Sequence, residues 1–189
     1  LHQPVDGIRP IVSHLRDRLP NPNPAADNEW GTARDDGTSR IYDVDVPGML
    51  VYLPPPDKRN GAAIIACPGG SYTHLTRLVG ADGCVHAFVP QGIAVISLMY
   101  RLKPPSQHVE DDALADGRRA VQLVRDHARE WGIDPHKIGM VGWSAGGNLI
   151  LNQITHPEST DDGITASPLD AISSRPDFAI LLSPWPDGK

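Results

Sequence analysis

The sequence predicts an α/β fold, a mostly parallel sheet with helices on both faces. Three observations carry this expectation. Apolar runs beginning near Ala62, Ile93, Lys137 and Asp177 are continuous rather than alternating, as in strands buried on both faces. Segments with helical apolar periodicity separate them. At 189 residues and 40% hydrophobic content, the chain is large and apolar enough for the core of one domain.

Residues 1 to about 40 contain Pro4, Pro10, Pro20, Pro22 and Pro24 and few apolar residues after Leu19. Proline fixes φ and removes a hydrogen-bond donor, so 1–40 reads as an arm lying on the body that 41–189 forms. Ile41–Val46 and Met49–Leu53 flank Pro47-Gly48 and read as a hairpin. Ala62–Cys67 reads as the first buried parallel strand and stops at Pro68-Gly69-Gly70. Leu78, Val85, Phe88 and Val89 have helical spacing up to Pro90, and Ile93–Met99 is the next strand. Val109–Trp131 predicts the longest helix, with Ala113, Ala120, Val124, Ala128 and Trp131 on one stripe and Arg118, Arg119, Arg125, Arg129 and Glu130 mostly off it. Lys137–Val141 predicts a strand, 145–156 a helix, 157–176 a polar loop, and Phe178–Leu182 a last buried strand.

Composition excludes several classes of partner. With 23 acidic against 17 Lys and Arg residues, a net charge of −6 and no basic run, neither nucleic acid nor an anionic membrane is expected. Apolar stretches are of single-strand length, too short to span a bilayer. Cys67 and Cys84 form no metal-ligand pattern and read as two buried small hydrophobes. The chain begins at Leu1, which leaves a removed leader or a segment boundary open; the first would favour a secreted or periplasmic protein.

The chemistry is concentrated in Val141-Gly142-Trp143-Ser144-Ala145-Gly146-Gly147-Asn148. Gly-x-Ser-x-Gly at the end of a strand and the start of a helix points to a nucleophilic serine on a tight turn. Bulky residues two before or two after the serine would clash there, and Gly142 and Gly146 avoid this. A dinucleotide-binding loop would need glycine where Ser144 stands. A serine that attacks an acyl carbon needs hydrogen-bond donors for the oxyanion, each worth about 3–4 kcal/mol in a hydrolase. The N–H of Ala145 is one candidate. The others belong to Pro68-Gly69-Gly70-Ser71-Tyr72, directly after a buried strand, at the edge where such sites form.

These two motifs, with Tyr100-Arg101-Leu102-x-Pro104 and Gly132-Ile133-Asp134-Pro135-x-Lys137-Ile138-Gly139, resemble the α/β-hydrolase superfamily. Within it, residues 41–189 are similar to carboxylesterases and carbohydrate esterases of the acetylxylan and feruloyl type, related to the hormone-sensitive-lipase group. The resemblance implies Ser144 as nucleophile, Gly70, Ser71 and Ala145 as oxyanion donors, and Tyr72 and Trp143 as walls of the acyl pocket. Pro68 stands where a His-Gly-Gly-Gly motif has histidine and Ser71 where it has its last glycine, as in the carbohydrate-esterase branch. Arg101 is expected to brace loops by ion pairing. No metal and no organic cofactor are implied. The implied substrates are small or carbohydrate esters with short acyl groups; a non-catalytic relative and a peptidase of the same fold are the alternatives.

A serine hydrolase also needs a histidine base and a carboxylate that orients it. In this superfamily both follow the serine. Only His156 does so here, and a helix over 145–156 would carry it about 18 Å along the axis. His74 precedes the serine, the wrong order for the base. Asp161, Asp162, Asp170, Asp177 and Asp187 follow it, but Asp177 opens a strand at the wrong edge and Asp187 lies in a Pro-Asp-Gly turn. Six strands are expected against the superfamily's eight. The expectation is that residues 1–189 are the amino-terminal part of a longer hydrolase, lacking the last two strands and the triad histidine and acid. The edge near Phe178–Leu182 would then be exposed, covered by a second chain or a dimer.

Overall fold

The computed structural model describes residues 40–76, 81–156 and 168–185, together with the backbone of 11–14 and 32–33. Leu78, Asp161, Asp162, Asp187, most of the proline-rich arm and part of the 157–176 loop lie outside the described residues. The strands are β1 Ile11–His14, β2 Thr32–Ala33, β3 Arg40–Tyr42, β4 Gly48–Tyr52, β5 Ala63–Cys67, β6 Leu75–Thr76, β7 Ala94–Met99, β8 Ile138–Trp143 and β9 Phe178–Leu182. The helices are α1 Gly83–Phe88, α2 Val109–Asp126, α3 Ala128–Trp131 and α4 Ala145–Thr155.

Six strands form the main sheet in the order β1-β4-β7-β5-β8-β9. β7, β5, β8 and β9 run parallel, while β4 is antiparallel to both β1 and β7. Every residue of β4, β5 and β7 is buried, which explains their continuous apolar runs. From β5 the chain moves outward to β7 and then returns across β5 to β8. Right-handed crossovers in opposite directions place α1 on one face and α2 on the other. The step from β8 to β9 continues in the second direction, so α4 shares a face with α2, and the two helices pack together. The reversal puts the topological switch point, the place where ligands bind in open α/β sheets, at the carboxyl ends of β5 and β8.

Four expectations need correction. Ile41–Val46 and Met49–Leu53 do not pair as a hairpin. β3 pairs with β2 and β6 in a separate three-stranded sheet, and β4 lies between β1 and β7. The intervening residues cross between sheets instead: Asp43 is left-handed (φ 58°), and the Val44 carbonyl accepts from Leu102 N at 2.9 Å. Burying both edges of β4 against apolar neighbours outweighs a local turn, and the sixth strand of the main sheet comes from the arm. Second, Arg118 and Arg119 are buried, because α2 is covered by α4 and by residues 168–171 as well as by the sheet. Arg119 pairs with Asp170 at 2.8 Å, and the Arg118 guanidinium donates to the His156 carbonyl. Third, β9 is not buried: Phe178, Ile180 and Leu182 are 39%, 40% and 38% exposed on one face. The helix expected over 109–131 divides at His127, whose ψ of 3° ends α2, and both Ala128 and Trp131 of α3 stay in the core.

Candidate active site

β8 ends at Trp143 and α4 begins at Ala145, so Ser144 alone makes the turn. Its φ of 48° and ψ of −114° lie outside the favoured regions, a strain of about 1–3 kcal/mol that the surroundings must hold. The flanking glycines show how. A Cβ on Gly142 would lie 2.5 Å from the Gly146 carbonyl oxygen, and one on Gly146 would lie 2.1 Å from the Cys67 carbonyl oxygen. Strand and helix therefore meet at backbone-to-backbone distance, and Ser144 between them is partly exposed. Ser144 N donates to the Leu182 carbonyl at 3.0 Å, and its own carbonyl accepts from Asn148 N at 2.8 Å.

The parallel register pairs Cys67 with Gly142, so the loops after β5 and β8 leave the sheet side by side. A Cβ on Gly69 would stand 3.4 Å from Ser144 Cβ and 2.9 Å from the Trp143 carbonyl oxygen. Beyond Gly69 the backbone is left-handed at three consecutive residues, Gly70 (φ 144°), Ser71 (φ 53°) and Tyr72 (φ 58°). Only glycine fits the first: a Cβ there would overlap the His74 carbonyl oxygen, at 1.8 Å. The loop's carbonyls are tied down. Pro68 O accepts from the Tyr100 hydroxyl at 2.5 Å, Gly69 O from Thr76 N at 3.0 Å, Gly70 O from Thr73 N and His74 N, and Tyr72 O from Lys103 N at 2.8 Å. By contrast, among the described residues the N–H groups of Gly70, Ser71 and Ala145 donate to no protein acceptor. Three free donors beside a serine at a helix N-terminus form a site suited to an anionic oxygen.

Tyr72 is 3% exposed, with its hydroxyl donating to Asn148 Oδ1 at 2.8 Å. Its ring meets Tyr100 and Trp185 edge-on, at centroid distances of 5.9 and 6.0 Å. In this structure Tyr72 is therefore the support beneath the loop rather than an open wall. Trp143 is half-buried at the end of β8. Arg101 braces the loop after β7 as expected, through Asp116 at 2.8 Å and Asp112 at 2.7 Å. Sequence reasoning missed Asn148, Tyr100 and Trp185 as supports. Their signal was faint: one amide in the first turn of an otherwise apolar helix, and aromatics that read equally well as core.

Among the described residues, no titratable side chain hydrogen-bonds Ser144 Oγ. His156 caps the far end of α4 and shares a hydrogen bond with Thr155 Oγ1 at 3.0 Å. His74 lies behind Gly70 with Nδ1 3.1 Å from Thr73 Oγ1; burial, with the Arg40 charge adding, lowers its imidazole below the usual value. Asp177, at the amino end of β9, accepts from Ile138 N at 2.8 Å, and Asp170 is paired with Arg119. Burial, reinforced by Cys84, pushes the Cys67 thiol far up, so this cysteine beside the elbow is a protonated packing group. Among the described residues no cluster of three or more His, Cys, Asp or Glu could hold a metal ion, and no helix is long and apolar enough to cross a membrane.

Comparisons with known proteins place the chain among esterases of one fold. The acetylxylan esterase of Xylanibacter ruminicola is 30% identical over 147 residues, covering 78% of this chain and 27% of that protein. Carboxylesterase NlhH of Mycobacterium tuberculosis is 32% identical over 152 residues, covering 77% of this chain and 44% of that protein. The chain thus spans between about a quarter and less than half of these relatives' lengths. Among solved structures, an acetyl ester-xyloside bifunctional hydrolase from Caldicellulosiruptor lactoaceticus superposes with a TM-score of 0.66 at 28% identity, covering 94% of this chain and 58% of that one. The BD-FAE family model matches residues 49–167, a span that takes in β4 from its second residue, the loop after β5 and the whole Ser144 turn. The fold is that of the α/β-hydrolases, and within it the chain belongs to the BD-FAE family.

Proposed function

We propose that this protein is a serine hydrolase of carboxylic esters, with short acyl groups, acetyl above all, carried on carbohydrate or small alcohols. One observation carries the reading: a strained serine between strand and helix, with a loop of unspent N–H donors packed against it, Gly69 being close enough that its Cβ would lie 3.4 Å from Ser144 Cβ. Ser144 Oγ attacks the acyl carbon, and its proton passes to a histidine base. The carbonyl oxygen becomes an oxyanion between the N–H groups of Gly70, Ser71 and Ala145, a charge the ground state lacks, so these bonds strengthen in the transition state. Collapse expels the alcohol, which takes the proton back, and leaves an acyl-enzyme that water hydrolyses. The base and its carboxylate partner come from outside the described residues. The names of the X. ruminicola and C. lactoaceticus proteins support acetylated xylan or xylosides as the substrate class.

The test is covalent labelling with a fluorophosphonate, alongside hydrolysis of p-nitrophenyl acetate and of acetylated xylan. Wild type is expected to label at Ser144 and release acetate, and Ser144→Ala to do neither. A wild-type protein that fails to label, or that cleaves amides while leaving esters intact, overturns the proposal.

A further inference from the structure

Asn148 stands one turn beyond Ser144 on α4, is 1% exposed, and joins three pieces of chain through its amide. Its Oδ1 accepts from the Tyr72 hydroxyl at 2.8 Å and from Asn152 Nδ2 at 3.3 Å, while its Nδ2 donates to the Trp185 carbonyl at 3.2 Å. This orientation is determined by its partners. Turned over, the amide would set its oxygen against the Trp185 carbonyl, acceptor against acceptor. Tyr72 ends the left-handed run Gly70-Ser71-Tyr72, a conformation that persists only where its surroundings hold it. Backbone bonds tie that loop to Thr76 and Lys103, but the Tyr72–Asn148 bond ties it to the helix that carries Ser144.

We infer that Asn148, acting through Tyr72, is a positioning residue that sets the Gly70 and Ser71 donors against the oxyanion formed at Ser144. The inference rests on the ester-hydrolase reading. An oxyanion exists only after attack, so misplaced donors reduce kcat and leave substrate binding nearly intact. The adjoining Trp185 carbonyl extends the same control to the loop after β9.

The experiment compares wild type, Tyr72→Phe, Asn148→Ala and the double variant, in the protein as its gene encodes it. It reads kcat and KM on p-nitrophenyl acetate, the rate of fluorophosphonate labelling, and Tm. Each single variant is expected to lose about tenfold in kcat and in labelling rate with KM within about twofold. The double variant should be no worse than Asn148→Ala, since both act through one bond. Tyr72→Phe keeps the ring and its packing, so the test stands even if Asn148→Ala does not fold. A Tyr72→Phe variant with kcat within about twofold of wild type, or one altered in Tm alone, overturns this inference and spares the esterase reading. A wild-type protein inert to both ester and probe overturns both.

Discussion

Single backbone positions decide whether the site exists at all. Gly146 is the most exacting of them, because its would-be Cβ meets the carbonyl oxygens of both Cys67 and Pro68, at 2.1 and 2.8 Å, with no flexible side chain to yield. Gly146→Ala must push α4 off the carboxyl end of β5. We expect a loss of at least about 1–3 kcal/mol in urea unfolding and a larger proportional loss of Ser144 labelling, since the displaced atoms form the site. Cys84 gives a pH signature. Burial pushes its thiol from an ordinary 9.0 up to about 11. The folded protein holds a proton that the unfolded chain releases first. This contribution to stability is therefore complete below pH 9 and is lost as pH rises toward 11. Urea midpoints at pH 8 and pH 10.5 should fall with pH in wild type and fall less in Cys84→Ala.

Between elements, the site is a matter of loops held in register by side chains from elsewhere. The loop after β7 carries Tyr100, whose hydroxyl holds Pro68, and Lys103, whose N–H holds Tyr72. That loop is anchored to α2 by Arg101, which donates to both carboxylate oxygens of buried Asp116 through its backbone N–H and its guanidinium. Removing one member of such a pair leaves a buried charge, so Asp116→Ala should cost about 3–5 kcal/mol in chemical unfolding. Arg101→Lys should recover little of the lost stability, because an ammonium cannot reproduce the guanidinium fork that also reaches Asp112 at 2.7 Å. The sequence showed Arg101 as a brace, but not its partner fifteen residues on. Asp116 reads there as one more polar position on an amphipathic helix.

At the scale of the whole molecule, the sheet ends on an apolar strand. Phe178, Ile180 and Leu182 project from one face of β9, and the strand's outer edge pairs with nothing among the described residues. A flat apolar edge of this kind recruits other chains. A polypeptide of these 189 residues alone should self-associate with concentration in analytical ultracentrifugation, and Ile180→Lys should shift it toward monomer. Equal sedimentation of the two at all concentrations would count against the edge as cause.

Much of this protein can be read from its residue pattern. Continuous apolar runs identified β5, β7 and β8, because burial on both faces removes the alternation that a half-exposed strand keeps. Gly142-x-Ser144-x-Gly146 identified the tight strand-to-helix turn that carries the proposed nucleophile, because only glycines allow strand and helix to touch there. What followed from long-range pairing could not be read in this way. The strands flanking Pro47-Gly48 look like a hairpin locally, yet each found its partner elsewhere, since β4 gains more from two buried edges than from one short turn. The supports of the loop after β5 were equally hidden. Tyr72, Tyr100, Asn148 and Trp185 are far apart along the chain, and only the crossover that lays β5 beside β8 brings them under one loop, where a buried amide must find its partners from other segments.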